Sequence, residues 1–229
     1  MKSAAGKESE YRFSNHDKRI AFYSLLLENS LDAIEEIPLP AGYVYVNYRP
    51  GDKTEWIDIE KSAEEFETYE DGEQAWKKYF EGKDDELIHR MFFIENAEGK
   101  KIATASAYYN IYKGDDNVSG WLHWVAVRKE GQGQGLSKPL ITHVLRYMKT
   151  LGYQRAVIPT QTTTWVACKI YLDLGFRPIP ENAVNSRIGW KIMRRLTDHP
   201  LLSEFEPASD SELLGLPADQ QQLPLNEGG

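Results

Sequence analysis

The 229-residue sequence contains a single cysteine, Cys168. No disulfide can close within the chain, which fits a reducing compartment. No apolar run approaches the ~18 residues a membrane span needs. The first ten residues, Met1 to Glu10, have no apolar stretch of the kind that marks a secretory signal. These absences predict a soluble, cytoplasmic protein with no membrane partner. An excess of basic residues is also missing, with 27 Lys+Arg against 35 Asp+Glu and a formal net charge of −8. Phosphate neutralisation needs a basic face, so a dedicated nucleic-acid partner is not expected. There are no internal repeats, and no metal site is expected.

What is present is an ordinary globular balance of 41 % apolar and 27 % charged residues, enough to bury a sizeable core. The length suits one large domain, or one domain with an extension. The charge is unevenly spread. Residues 1–120 carry 25 acidic and 15 basic side chains, residues 121–199 carry 4 and 12, and residues 200–229 carry 6 and none. A positive block between two negative ones points to an anion met by the middle of the chain, with ordinary surface charge as the plain alternative.

Periodicity predicts a helix over residues 16–37, stopped by Pro38 and Pro40, then a strand from Tyr43 to Tyr48. Helices follow from Asp52 to Phe66 and from Glu73 to Phe80. Strands are expected at Met91–Glu95, Lys101–Tyr112 and Trp121–Val127, with a Gly, Asp and Asn-rich loop at residues 113–120. A helix from about Gly135 to Leu151 carries apolar residues at spacings of three and four. A strand at Arg155–Pro159, a helix at Thr163–Leu174 and a strand at Arg187–Arg195 complete the order. The tail from Asp198 holds Pro207, Pro217, Pro224 and three consecutive glutamines. It is expected to be mostly extended, with a short docked segment near Leu213.

The most informative stretch is Gln132-Gly133-Gln134-Gly135-Leu136-Ser137, between a strand and a helix. Glycines here let the backbone approach a ligand closely, and the helix behind adds the positive end of its dipole. Neither the dinucleotide fingerprint nor the Walker pattern fits: Lys138 stands where the former needs glycine, and no Gly-Lys-Ser/Thr follows. Alone, the loop reads equally as a phosphate cradle or as a turn that needs no ligand.

Read with its neighbours it is more specific. The loop resembles the Q/R-x-x-G-x-G/A pyrophosphate loop of the GCN5-related N-acetyltransferase (GNAT) superfamily. Leu122-His123-Trp124-Val125-Ala126-Val127 is similar to that family's fourth strand. Ala167 to Phe176, with Tyr171, Gly175 and Phe176, resembles its A-x-x-x-Y-x-x-x-G-F signature. Two departures are Ser137 for the last Gly/Ala and Thr164 where many members have Asn.

The resemblance implies an α/β (α+β) fold with a mixed, mostly antiparallel sheet of six or seven strands. Helices would flank the sheet and a central strand pair would splay. It implies a domain at residues 41–197, between an N-terminal helical extension (1–40) and an acidic tail (198–229). It also implies transfer of an acetyl group from acetyl-CoA to a primary amine, by direct attack in a ternary complex. Backbone near Val125, Ala126 and Val127 would meet the pantetheine, Gln132 to Ser137 the pyrophosphate, and Thr164 and Ala167 further parts of the cofactor.

Arg128, Lys129, Lys138 and Lys169 are candidates for the phosphate field. Tyr171 would protonate the departing thiolate, and His123, as in the histidine-bearing strand of serotonin N-acetyltransferase, would act as base. A backbone N–H near Val127 would serve the oxyanion. By alternation Trp121, His123, Val125 and Val127 share one face. Trp121, Trp124, Trp165, Tyr108 and Tyr109 could line an aromatic acceptor pocket or simply fill the core. The acceptor would be a small-molecule or peptide amine, and the acidic flanks favour a cationic one. A homodimer is left open, as is a non-catalytic acyl-CoA-binding or assembly module on the same fold.

Overall fold

The computed structural model describes residues 16–111, 118–179 and 184–215. The strands are β1 (Ser24–Asn29), β2 (Tyr43–Asn47), β3 (Met91–Asn96), β4 (Lys101–Ile111), β5 (Val118–Val127), β6 (Ala156–Gln161) and β7 (Arg177–Pro178). The helices are α1 (Lys53–Ser62), α2 (Tyr69–Tyr79), α3 (Asp84–Arg90), α4 (Ser137–Thr150), α5 (Trp165–Asp173), α6 (Val184–Thr197) and α7 (Asp210–Leu214). The seven strands follow the order β2-β3-β4-β5-β6-β1-β7. β2 to β5 pair antiparallel, while β5 and β6 run parallel. This is the mixed, mostly antiparallel sheet flanked by helices that the sequence implied. No helix among the described residues is long and apolar enough to cross a membrane.

The described residues form two compact units: residues 28–158, and residues 16–27 together with 159–215. In the first, alternation along β3 and β4 divides the layers. Phe92 meets His143 and Tyr147 of α4, whereas Phe93 joins the cluster of Trp56, Ile59, Trp76 and Phe80 from α1, α2 and the turn after it. Along β4, Ala103, Ala105 and Ala107 are fully buried, and Thr104, Ser106 and Tyr108 take the opposite face. α2 starts with a capping box, in which the Thr68 hydroxyl accepts from the Asp71 amide and the Asp71 carboxylate accepts from the Thr68 amide. Each large apolar side chain buried here stabilises by about 1.5–3 kcal/mol. Gly120 lies where β5 meets β6. A Cβ there would come within 3.1 Å of the Met148 sulfur and 3.3 Å of the Arg155 carbonyl.

In the second unit two expectations are corrected. The helix expected over 16–37 does not form; Ser24–Asn29 is a strand whose buried residues, Leu25, Leu27 and Asn29, alternate. Leu-rich segments satisfy both periods, and here sheet pairing overrides helical propensity. The strand expected at Arg187–Arg195 is instead part of α6. Its buried Ser186, Gly189, Trp190 and Met193 recur at helical spacing, while Ile188, Trp190 and Ile192 imitate strand alternation. The segment near Leu213 docks as expected, its carbonyl accepting from the Ala21 amide at 2.8 Å. The expected tail beyond 215 and most of the 113–120 loop lie outside the described residues.

Candidate functional site

β5 carries the first distinctive feature. β4 and β5 pair one to one from Ile111↔Val118 to Ser106↔His123, and the next pair is Thr104↔Ala126. Between these pairs one residue of β4, Ala105, lies opposite two of β5, Trp124 and Val125, which is a β-bulge. Trp124 takes it up with φ +52°. The expected alternation holds to His123 and fails there, because the inserted residue shifts the phase of everything after it. His123 and Trp124 consequently both reach Tyr79, with ring centroids 5.2 and 5.5 Å away. Val125 pairs with no residue of β4, so the ladder is interrupted where pantetheine contacts were expected.

His123 is enclosed by Tyr79, Tyr108 and Trp124. Burial, and secondarily the nearby Lys78 charge, push its imidazole down to about 4. It is neutral at physiological pH, and its Nδ1 meets no hydrogen-bond partner among the described residues. Trp124 packs edge-on against Trp56 at 5.2 Å. The aromatics Tyr108 and Trp124 thus adjoin the α1–α2 core and border His123 at the same time.

The glycine loop follows β5 directly. Gly133 and Gly135 have φ +76° and +78°, a region that side-chain-bearing residues enter at a cost. The nearest atom to a Cβ at Gly135 would be Pro40 Cγ, 3.9 Å away, so the loop surface is open there. Among the described residues, the amides of Gly133, Gln134, Gly135 and Leu136 meet no backbone carbonyl. The loop is braced by its side chains instead: Gln132 Nε2 donates to the Val127 carbonyl at 3.1 Å, Gln134 Nε2 donates to the Glu130 carbonyl at 2.6 Å, and the Tyr43 hydroxyl donates to Gln134. α4 then begins at Ser137 without a side-chain cap from Leu136. Converging free amides, a helix N-terminus and open space fit a pyrophosphate.

The candidate cations are unequal. Arg128 is spent on the Lys101 carbonyl and on Glu55 at 3.1 Å, and Lys169 is paired with Asp173 at 2.9 Å. Lys129 is exposed and forms no ion pair among the described residues. Arg128 and Lys169 are thus each engaged by an acid on their own unit.

Tyr171, Thr164, Ala167 and Trp165 belong to the second unit. Tyr171 is 5 % exposed on α5, its ring 5.9 Å from Phe176. The Thr164 hydroxyl donates to the Gln161 carbonyl at 3.0 Å and lies 3.1 Å from the Thr160 hydroxyl. Cys168 is fully buried, and burial raises its thiol pKa, so it is no nucleophile.

Sequence reasoning missed Glu60. It is 0 % exposed, both carboxylate oxygens lack a partner among the described residues, and burial raises its pKa well above the carboxylate range. Glu60 follows Trp56 by four residues on α1, an apolar-face position that periodicity alone could have flagged. Thr104 and Ser106, on the β4 face that α1 covers, are likewise buried with unpartnered hydroxyls.

The comparisons with known proteins agree with this geometry. The chain is similar to a GCN5-related N-acetyltransferase from Sphaerobacter thermophilus (16 % identity, TM-score 0.54, covering 77 % of this chain and 54 % of that one). It is similar to a GNAT-family acetyltransferase from Colwellia psychrerythraea (16 %, TM-score 0.53, covering 69 % and 54 %). A third similar structure is the glucosamine N-acetyltransferase region of a fungal multi-domain β-N-acetylglucosaminidase (14 %, TM-score 0.53, covering 78 % and 22 %). The chain spans about half the length of the first two structures. At such identities these likenesses concern the fold. No curated protein matches the sequence. The profile of the acetyltransferase (GNAT) family matches residues 40–176, more than half of the chain, and takes in both the bulged strand and the glycine loop. The chain belongs to the GNAT acetyltransferase family.

Proposed function

We propose that the protein transfers the acetyl group of acetyl-CoA to a primary amine. The observation that carries this is the row of unengaged amides from Gly133 to Leu136 at the head of α4, directly behind a bulged strand. Acetyl-CoA supplies the activated acyl group when bound. The Gln132–Ser137 loop would hold its pyrophosphate, and the backbone of Val125, unpaired with β4 at the bulge, together with Ala126 and Val127, would orient the acyl end. The amine nitrogen forms the new C–N bond as the C–S bond breaks. One amine proton is passed by way of the neutral His123 to solvent. The departing thiolate takes up a proton, the role that the sequence resemblance gives to the Tyr171 hydroxyl, which would regain it from water. Because His123 is a weak base in its buried site, its work is to relay a proton, not to store it.

The test is release of free thiol from acetyl-CoA in the presence of an amine panel, with acetyl-CoA affinity measured in parallel. Amine-dependent thiol release supports the reading. Tight binding with no turnover on any amine leaves a binding module and overturns it.

A further inference from the structure

The first unit holds a second group of polar side chains, away from the glycine loop. α3 and β4 enclose a narrow cleft lined by Phe80, Lys83, Leu87, Arg90, Ser106 and Tyr108. Neither Lys83 nor Arg90 forms an ion pair among the described residues. Lys83 Nζ lies 3.5 Å from the Tyr108 hydroxyl and 5.3 Å from its ring centre. Arg90 donates from one nitrogen, Nη1, to the Ala107 carbonyl at 3.1 Å and to the Tyr153 hydroxyl at 3.4 Å, and stacks over Tyr109 at 4.9 Å. These contacts orient the guanidinium and leave its other N–H groups unspent. Glu86 also borders the cleft, accepting from the Tyr109 hydroxyl at 3.1 Å, so the lining is net positive.

A second, independent observation is Ser106. It is 1 % exposed, lines the cleft, and its hydroxyl meets no partner among the described residues. A buried unpartnered hydroxyl is costly, and so are half-buried cations that form no ion pair. A carboxylate satisfies all three: it accepts from a guanidinium fork, an ammonium and a hydroxyl at once. The cleft adjoins the bulged strand, since Ser106 is the Cα partner of His123 and the Tyr108 ring lies 5.6 Å from the imidazole.

The geometry points to an acceptor that carries a carboxylate as well as its amine: Lys83, Arg90 and Ser106 hold the carboxylate in the α3–β4 cleft, and the amine reaches toward the β5 bulge. This rests on the amine-acetylation reading. It replaces the simple cation suggested by the acidic flanks with an aminocarboxylate.

The test has one arm free of catalysis. Binding of 3-phenylpropionate and of its neutral amide to the full chain is followed by NMR titration. The carboxylate is expected to bind about tenfold or more tightly than the amide. Lys83→Met, which keeps the stem and removes the charge, is expected to erase that preference and leave amide binding unchanged. Arg90→Gln should do the same; because it also gives up contacts to Ala107 and Tyr153, Lys83→Met is the deciding variant. Equal binding of carboxylate and amide, or a preference that survives Lys83→Met, overturns the inference. In the second arm, 5-aminopentanoate should exceed pentylamine in kcat/KM by about tenfold, mainly through KM. Better turnover of pentylamine overturns the cleft and spares the transferase. Carboxylate binding as expected with no acetylation of any amine overturns the transferase and spares the cleft.

Discussion

The glycine loop and the α3–β4 cleft sit on the same unit and are built in opposite ways. The loop offers backbone amides from Gly133 to Leu136, presented by a turn in which Gly133 and Gly135 take φ angles that only glycine adopts freely. The cleft offers side chains from α3 and β4, gathered from positions 83 to 108. Backbone donors recognise what is common to every ligand of a family, on the proposed reading a pyrophosphate. Side chains recognise what differs, here the acceptor. The first kind of site survives substitution of most of its residues but not of its glycines; the second changes with single charges.

The largest effect that would break this contrast is at Gly135. Gly135→Val must hold a β-branched residue at φ +78°, at a cost of about 1–2 kcal/mol or more. It also puts methyl groups where the pyrophosphate would sit. Acetyl-CoA affinity should fall about a hundredfold by calorimetry, far beyond the loss in stability. If stability alone falls, the loop is a turn and not a cradle. Next comes Tyr171→Phe, expected to lower kcat by roughly 10- to 100-fold with acetyl-CoA affinity unchanged. A fall in both, tracking a lowered Tm, would assign Tyr171 to packing against Phe176 only.

Glu60 sharpens the comparison from the side-chain side. Its folded-state pKa is raised, so its protonated form favours the fold below the unfolded pKa of about 4.3. That stability is lost as pH rises from there toward the folded pKa. Glu60→Leu should therefore raise stability at pH 8 by about 1–3 kcal/mol and flatten the dependence on pH, read from denaturation midpoints. No gain at pH 8 would mean that Glu60 is already solvated or paired in solution. The smallest effect is expected at the loop's exposed rim. The Lys100–Glu130 pair is about half exposed on both sides, and Lys100→Met should cost less than about 1 kcal/mol and leave cofactor affinity unaltered. A larger loss of affinity would show that side chains, not amides, carry the loop.

The sequence was read most accurately where a local rule leaves one solution. β3, β4, β5 and α4 fell close to their expected positions because β-branched alternation and the three-four spacing of Leu140, Val144 and Met148 point one way. β1 and α6 were misread for the same reason in reverse. Leu25 to Leu27 and Ile188 to Ile192 satisfy two periods, and only pairing partners far along the chain choose between them. The bulge at Trp124 could not be read from β5 alone, since it is defined by the count of residues on β4 opposite. Glu60 and Ser106 carry ordinary sequence signals; their burial is a property of the layers packed against them.

The linear chain thus determined the family, the positions of the central strands along the chain and the place of the glycine loop, because glycine conformations and side-chain periods are local. Tertiary structure alone decided which groups surround His123, that Arg128 turns to α1, and that Lys83, Arg90 and Ser106 line one cleft with a single acid, Glu86. Those outcomes depend on which distant side chains exclude water together, and burial is a property of the packed neighbourhood rather than of the residue.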